Sequence, residues 1–157
     1  MPGRISELVR DAFDAFNRRD VDALLALSEP NVRVRSLMTE AERETYDGHQ
    51  GVREWLAAIT DIFPDWHPEP RPGGADLGNA LVTPFCVTAT ATASGVPIDE
   101  TFWAAARMSE AGRLVYVGFF RTEAEARQAA RPISSIRYPS GSRTKQMNDP
   151  ELRPPGR

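Results

Sequence analysis

The segment NALVTPFCVTATATASGVPIDETFWAAARMSEAGRLVYVGFFR, residues 79–121, carries the pattern that determines the fold class of this chain. It contains three consecutive runs typical of β-strands, separated by turn residues. The first turn signal is Ser94-Gly95, and the second is Ser109-Glu110-Ala111-Gly112. We therefore predict an antiparallel meander of three strands, at about 79–93, 96–108 and 113–121.

Helical patterns precede this meander. Apolar residues recur at helical spacing from residue 4 to residue 17, which predicts an amphipathic first helix. Asp20 is a suitable N-cap for a second, shorter helix, which Pro30 is expected to end. Asp47 and Gln50 form a capping box for a third helix that ends at Pro64. Three helices are thus predicted before the meander.

The remaining segments complete the predicted order of elements. A strand is expected at Val32–Leu37, where apolar residues alternate with basic or polar ones, and residues 38–46 are polar and irregular. The Pro- and Gly-rich residues 64–78 predict a loop with a short edge strand. After the meander, a capping box that starts at Thr122 predicts a short helix, which Pro132 closes. Helices and strands together predict an α+β domain.

The composition is typical of one globular domain. The chain has 157 residues, of which 41% are hydrophobic and 26% charged, so it can bury a real hydrophobic core. No apolar run approaches the roughly 18 residues that a membrane span needs, and the N-terminus lacks the apolar core of a signal peptide. The single cysteine, Cys86, excludes an internal disulfide framework, and with only His49 and His67 besides we predict no metal site. We expect a cytoplasmic protein without a cofactor and without a membrane partner.

Charge is distributed unevenly along the chain. The formal net charge is −3, but residues 131–157 carry a net +4, so residues 1–130 carry −7. The last segment is rich in Pro, Ser and Gly and has no hydrophobic periodicity, which is typical of a linker or arm. We therefore predict a pocket domain at 1–130 and a basic, Pro-rich tail at 131–157. Because nucleic acids bind to positive surfaces, the acidic body argues against a nucleic-acid partner.

Three runs of residues carry a resemblance to a known family. They are FNRRDVDAL at 16–24, YDGHQGVREW at 46–55, and GRLV at 112–115 followed by FFR at 119–121. With the order of elements, they resemble the SnoaL-like proteins of the nuclear-transport-factor-2-like superfamily over about residues 5–130. The resemblance implies a cystatin-like α+β barrel, in which a cone-shaped, curved antiparallel sheet wraps around three helices and encloses a pocket. It is weak for function, because one fold hosts many chemistries.

The positions at which ketosteroid isomerases of this superfamily carry catalytic groups are all altered in this chain. In those enzymes a tyrosine on the first helix and an aspartate on a strand form an oxyanion hole, and another aspartate is the base. The resemblance places the tyrosine at Ala12, the base at Ser36 and the second aspartate at Ala104. We therefore predict that this protein does not isomerise steroid enones.

Two hairpin registers predict which side chains share the pocket face of the sheet. With a two-residue first turn and a four-residue second turn, one face is apolar in both registers. Glu100 then lies opposite Arg121 on that face, where a carboxylate beside an arginine could act as a general acid/base or orient a substrate. Two alternatives remain open: an ion pair at the rim, or a β-bulge that turns Asp99 inward in place of Glu100.

The predicted pocket lining combines this sheet face with residues of the helices and the following loop. Trp55 and Ser36 also have plainer interpretations, as a core tryptophan at helical spacing and an ordinary strand serine. The candidate ligand-binding residues are Phe16, Ser36, Tyr46, Trp55, Ile59, Phe63, Trp66, Phe85, Val87, Phe102, Ala104, Val117 and Phe119.

The opposite face of the sheet is the predicted interface of a homodimer. It would expose Trp103 beside small and hydroxyl side chains such as Cys86 and Thr88, which is more typical of an interface than of a solvated face. The resemblance points the same way, since members of the family commonly form dimers through this face. The alternative is that the tail or a loop covers it.

Three functions follow from these observations. The first is an enzyme of cyclase, isomerase, dehydratase or hydrolase type that acts on a small, largely apolar metabolite through Glu100 and Arg121. The second is a ligand-binding module without turnover, which the loss of the three isomerase positions favours. The third is a dimeric interaction protein whose basic tail docks on an acidic partner or on the neighbouring subunit. The sequence ranks the enzyme slightly ahead.

Overall fold

The computed structural model describes residues 3–37, 43–90, 95 and 97–131. In this part of the chain, four helices and seven strands form a mixed α+β fold. The helices are α1 (Arg4–Asn17), α2 (Val21–Ala26), α3 (Gly48–Ile62) and α4 (Glu123–Ala130). The strands are β1 (Ser28–Arg35), β2 (Thr45–Asp47), β3 (His67–Pro70), β4 (Ala75–Asp76), β5 (Ala80–Thr90), β6 (Pro97–Met108) and β7 (Leu114–Phe120).

The seven strands form one curved, unclosed sheet around the helices. Its order is β2-β1-β7-β6-β5-β3, with β4 paired to β5 at the side. All pairs are antiparallel except β1 with β7, which is parallel. Helix α3 packs against β1 and β2, and α1 packs against β3, β5 and β6. The predicted α+β fold and its meander are thus confirmed, although the sheet is not purely antiparallel.

The N-cap of α2 was predicted correctly, but the strand that follows this helix begins earlier than expected. The side chain of Asp20 accepts a hydrogen bond from the backbone N–H of Ala23 (3.1 Å), as an N-cap does. Helix α2 ends at Ala26, and β1 already begins at Ser28, so Pro30 lies within a strand instead of ending the helix. The strand tolerates Pro30 because the pairing of β1 with β7 is irregular between Ser28 and Arg33, where no ladder hydrogen bond is needed.

The predicted capping box of the third helix is wrong. The Asp47 side chain makes no cap hydrogen bond. It instead accepts a hydrogen bond from the guanidinium of Arg33 (Nε to Oδ1, 2.6 Å), its partner across β1 and β2. Residues 45 and 46 were expected to be irregular but belong to β2, and residues 38–42 lie outside the described part of the chain. An ion pair on the neighbouring strand therefore replaces the local cap.

Both hairpin registers differ from the predicted ones by two residues. Phe102 lies opposite Phe85 instead of Val87, and Ala104 lies opposite Phe119 instead of Val117. The last partners of the first hairpin are Thr90 and Pro97, so its connection is longer than a two-residue turn. Since successive side chains alternate between faces, a shift of two leaves every residue on its predicted face.

Helix α4 packs on the outer, convex face of the sheet. Thr122 accepts a hydrogen bond from the N–H of Glu125 (3.2 Å), which confirms the predicted N-cap. At the other end, the guanidinium of Arg107 donates to the carbonyls of Ala130 (2.9 Å) and Arg131. A small apolar cluster lies between helix and sheet, formed by Ala80, Val82, Ala105, Phe120, Ala126 and Ala130. The chain beyond Arg131, which holds most of the predicted tail, lies outside the described residues.

Gly118 leaves room for the aromatic side chains of its own strand. A Cβ at this position would come within 2.3 Å of the Tyr116 hydroxyl and 2.8 Å of the Phe120 ring. The guanidinium of Arg35 in turn lies 4.5 Å from the centre of the Phe120 ring, at cation–π distance. Burial raises the pKa of Tyr116, while Arg35, Arg107 and Arg33 oppose this shift. Tyr116 therefore keeps its proton on this face of the sheet.

Candidate functional site

An apolar cavity of about 90 Å³ lies between the helices and the concave face of the sheet. Helix α1, helix α3 and strands β1, β5, β6 and β7 all contribute to its wall. Most of the lining side chains belong to the main hydrophobic core. The described lining residues are Val9, Ala12, Phe13, Phe16, Leu24, Ser28, Val32, Val34, Ser36, Leu37, Val52, Trp55, Ile59, Trp66, Pro68, Leu81, Thr83, Phe85, Phe102, Ala104, Ala106, Leu114, Val117 and Phe119.

Aromatic rings form much of this wall. The indole of Trp55 stacks on Phe119 with 5.6 Å between ring centres and 10° between planes, and it contacts Phe16 at 5.3 Å. Phe85 contacts Phe119 edge to face at 5.6 Å and Phe102 at 6.0 Å. Such rings offer large, flat apolar surfaces with preferred stacking geometry. The cavity is therefore suited to a ligand that presents rings or other apolar groups.

Few polar groups reach the cavity. The described lining includes three hydroxyl side chains, of which Ser36 lies deepest, with no exposed surface. The Trp55 indole N–H donates to Ser36 Oγ at 3.2 Å, and the Ser28 hydroxyl donates to the carbonyl of Leu24 at 2.8 Å. No side chain in the described lining carries a carboxylate, imidazole, ammonium or guanidinium group. General acid–base catalysis needs a titratable group within hydrogen-bond reach of the substrate, so the described lining alone supports binding better than proton transfer.

The cavity is small in this conformation. An engineered cavity of about 150 Å³ in another protein binds benzene, whereas the volume here is about 90 Å³. A ligand with one or more rings therefore requires side chains or a segment of the wall to move.

Ten of the thirteen side chains predicted to bind ligand line this cavity. The other three, Tyr46, Phe63 and Val87, are buried in the core but are not among the lining residues. Tyr46 lies beneath the guanidinium of Arg43 (4.3 Å to the ring centre), and Phe63 packs against Trp66 (5.2 Å between ring centres). Ala12, Ser36 and Ala104, the positions transferred from the isomerases, all line the cavity. That any of these residues binds a ligand stays a prediction.

Some lining residues were not predicted from the sequence. Val9 and Phe13 on α1 and Val32 and Val34 on β1 are also lining residues. The helical periodicity of α1 and the alternation of β1 contain this signal, because Val32, Val34 and Ser36 point to one face of a strand. The sequence alone gave no way to separate lining residues from solid core on these faces.

Glu100 and Arg121 are not directly opposite each other in the sheet. Both side chains are exposed, and neither is among the lining residues. Glu100 lies opposite Val87 in the sheet, while Arg121 follows the end of β7 at Phe120. The predicted pairing is wrong because the β6–β7 register differs by two residues, which moves the position opposite Glu100 beyond the end of β7. Asp99 does not line the cavity either. A catalytic role for Glu100 and Arg121 stays a prediction without geometric support.

The outer face of the sheet is less open than the sequence indicated. Trp103 is half-buried because it packs against the cluster under α4, and Cys86 is also half-buried. Thr88 is exposed. A helix of the chain itself thus covers part of the face that was predicted to form a dimer.

The described residues include neither a metal-binding cluster nor a membrane-spanning helix. Among them, no group of three or more His, Cys, Asp or Glu side chains is arranged to hold a metal ion. None of the helices in these ranges has the length and hydrophobicity required to cross a membrane.

Comparison with known proteins identifies similar folds. The sequence model described as the SnoaL-like domain matches residues 9–117. An NTF2-like protein of unknown function from Burkholderia pseudomallei K96243 is similar in structure, with a TM-score of 0.67 and 22% identity, covering 84% of this chain and 100% of that chain. TerC, co-crystallised with polyporic acid, has a TM-score of 0.67 and 18% identity, covering 80% of this chain and 97% of that chain.

A third similar structure is that of a Mycobacterium tuberculosis protein in complex with estradiol-17beta-hemisuccinate. Its TM-score is 0.65 at 10% identity, covering 77% of this chain and 95% of that chain. No curated protein matches the chain. At such low identities the structural matches establish a shared fold and do not by themselves establish a shared activity.

Proposed function

This chain belongs to the SnoaL-like domain family, and we propose that it binds a small, largely apolar organic molecule in the cavity between α1, α3 and the concave face of the sheet. The observation that carries the proposal is the cavity wall itself. It is built from aromatic and aliphatic side chains, with three hydroxyl groups and no ionisable group among the described lining residues. Ligand sites typically have this composition, an apolar lining with a few polar groups.

Binding without turnover accounts for these observations better than catalysis does. The enzyme hypothesis relied on Glu100 and Arg121, which are both exposed and outside the described lining. The three positions that bear catalytic groups in the isomerases carry two alanines and a serine here, all in the cavity wall. Two proteins of similar fold were crystallised with small organic molecules, polyporic acid and estradiol-17beta-hemisuccinate, which supports a small-molecule ligand here.

A cavity-filling variant tests this proposal. Ala104 is buried (3% exposed) and lines the cavity, so Ala104→Leu places three further carbon atoms inside a space of about 90 Å³. We expect wild-type protein to bind naphthalene, measured by ligand-observed NMR and calorimetry, and Ala104→Leu to bind it at least tenfold more weakly. Since overpacking can also strain a core, urea denaturation should establish that the variant is folded at the temperature of the measurement.

Thr101→Leu is the matched control. Thr101 lies on the same strand but is exposed on the other face, so the same new side chain leaves the cavity unchanged. Its affinity for naphthalene should equal that of wild type. Equal binding by Ala104→Leu would place the ligand elsewhere, and a wild-type protein that binds no apolar probe would refute the proposed function.

The predicted homodimer through Cys86, Thr88 and Trp103 remains a proposal. Thr88 is exposed on β5, outside the cluster covered by α4, so Thr88→Arg should not perturb the isolated subunit. If this face forms the dimer, the variant should sediment as a monomer at micromolar concentration, because an unpaired charge at an interface is costly. Thr45→Arg, on the edge strand β2 at the other side of the sheet, should keep the dimer. A monomeric wild type would refute the interface.

The cytoplasmic location and the separate basic tail also stay predictions. Helix α4 ends at Ala130, which agrees with a domain boundary near residue 130.

A further inference from the structure

One part of the cavity wall is an irregular segment held mainly by side chains from α1 and the turn that follows it. We call residues Pro64–Trp66, between α3 and β3, the gate segment. Trp66 lines the cavity and is 7% exposed. Arg19, in the turn between α1 and α2, donates from Nη2 to the carbonyls of Trp66 (2.6 Å) and Pro64 (3.3 Å). The Arg19 side chain thus forms hydrogen bonds with both ends of the gate segment.

Arg19 also connects the gate segment to the part of the cavity wall that α1 forms. Its Nη1 donates to the carbonyl of Phe16 (2.9 Å), and its guanidinium carbon lies 4.9 Å from the centre of the Phe16 ring. Phe16 and Trp66 are both lining residues. Burial lowers the pKa of the Arg19 guanidinium, and the charge of Asp65 opposes that shift. A single partly buried cation therefore joins two cavity walls that are distant in sequence.

Two further side-chain contacts lie beside those of Arg19. We call the contacts of Asn17, Arg19 and Asp65 together the seam. Asn17 Nδ2 donates to the carbonyl of Pro68 (2.9 Å), and Asp65 Oδ1 accepts a hydrogen bond from the N–H of Thr90 (2.8 Å). Pro68 lines the cavity as well. Like the Arg19 contacts, these are hydrogen bonds between a side chain and the backbone. They can break without disrupting a helix or the pairing of strands.

The closed seam carries local costs. Among the described residues, Arg19 is the one non-glycine residue with positive φ (57°), a conformation that L-residues with a Cβ adopt only at a cost. Asn17 Oδ1 is buried and has no hydrogen-bond partner in the described structure, which is also unfavourable. Such costs cluster at ligand clamps and switch regions. Opening of this seam would expose Asn17 Oδ1 to water and so remove the second of these costs.

We propose that the gate segment swings outward to admit a ligand to the cavity and that Arg19 is the positioning residue that holds it closed. The inference rests on the proposed binding function, because a cavity of about 90 Å³ must enlarge to hold a ring system. Trp66 can move without breaking helical or strand hydrogen bonds, since it lies between the end of α3 at Ile62 and the start of β3 at His67. Movement of Trp66 enlarges the cavity on the side of the gate segment.

Arg19→Gly is the variant that isolates the contribution of the guanidinium. Glycine adopts positive φ readily, so this change removes the side-chain contacts without adding backbone strain. We expect hydrogen exchange at the amide of Trp66, which donates to the carbonyl of Phe63 (3.0 Å), to become at least fivefold faster, and naphthalene release in stopped-flow measurements to become at least tenfold faster. Arg19→Lys, which can reach fewer carbonyls, should give intermediate values.

Arg18→Ala is the matched control, because it removes the same charge one residue earlier. Arg18 is exposed, has ordinary helical backbone angles (φ −85°) and makes only a long ion pair with Asp20 (3.8 Å). Exchange and release rates in this variant should match wild type.

The outcomes distinguish this inference from the function it rests on. If wild type binds naphthalene but Arg19→Gly changes neither rate, the gate is refuted and the binding function stands. If wild type does not bind naphthalene, the binding function fails, and amide exchange at Trp66 decides alone whether Arg19 holds the segment. Equally accelerated exchange throughout α3 would show that Arg19 supports the whole fold, which would also refute the gate.

Discussion

Replacing Phe85 with alanine should lower the free energy of unfolding by about 3–5 kcal/mol, the usual cost of removing a buried phenylalanine. Phe85 is 2% exposed and contacts the rings of Phe13 (5.6 Å), Phe102 (6.0 Å) and Phe119 (5.6 Å). The loss includes the transfer free energy of the ring and the cost of the space it leaves. Urea denaturation monitored by circular dichroism measures the change directly.

The same variant should change the size of ligand that the protein accepts. Because Phe85 lines the cavity, its removal enlarges the existing space, and we expect Phe85→Ala to bind anthracene more tightly relative to naphthalene than wild type does. Leu56→Ala is the matched control, since Leu56 is buried in the same core (8% exposed) but is not a lining residue. It should lose comparable stability without a shift in size preference. A loss below about 1.5 kcal/mol at Phe85 would indicate that the core packs differently.

Truncation after Arg121 should be far more damaging than truncation after Arg131. Removing residues 122–157 deletes α4 and exposes side chains that the helix covers, such as Val82 (0% exposed), Ala105 (0%) and Phe120 (7%). Burial of a valine or phenylalanine contributes about 1.5–3 kcal/mol each. We therefore expect this truncation to reduce the free energy of unfolding by about 3 kcal/mol or more, measured by urea denaturation.

The shorter truncation is the control. Residues 132–157 are rich in Pro, Ser and Gly and offer little apolar surface to offset the entropy of ordering them. Their removal should shift the thermal midpoint by less than about 5 °C. For a domain of this size, a shift of about 5 °C corresponds to a free-energy change of the order of 1 kcal/mol or more. A larger fall would show that the tail packs on the domain or exchanges between subunits. Equal effects of the two truncations would mean that α4 contributes no stability.

Features that depend on neighbouring residues were predicted correctly from the sequence. The limits of α1 were predicted without error, and the N-caps at Asp20 and Thr122 are present. Helical periodicity and capping involve residues at most four positions apart, so the sequence contains their cause where no distant residue binds the capping side chain. The faces of β5, β6 and β7 were also predicted, because a register error of two residues leaves alternation unchanged.

Features that depend on residues distant in sequence were decided by the tertiary structure. Asp47 does not cap α3, because β2 places its side chain beside Arg33, from which it accepts a hydrogen bond. Glu100 and Arg121 are not cross-strand partners, because the β6–β7 register differs by two residues from the one that the turn residues suggested. A turn signal limits which residues can form the turn, but the packing of the whole sheet selects the pairing.

The candidate site shows the same division. The sequence by itself determined that one face of the meander is apolar and that α1 and α3 can pack against it, since period and hydrophobicity are local properties. Only the tertiary structure decided which of those side chains border empty space and which fill solid core, as Val87 and Phe85 on one strand illustrate. It also placed Arg19 against the carbonyls of Pro64 and Trp66. Cavities and such contacts depend on how elements fit together in three dimensions, and no local pattern in a single chain encodes that fit.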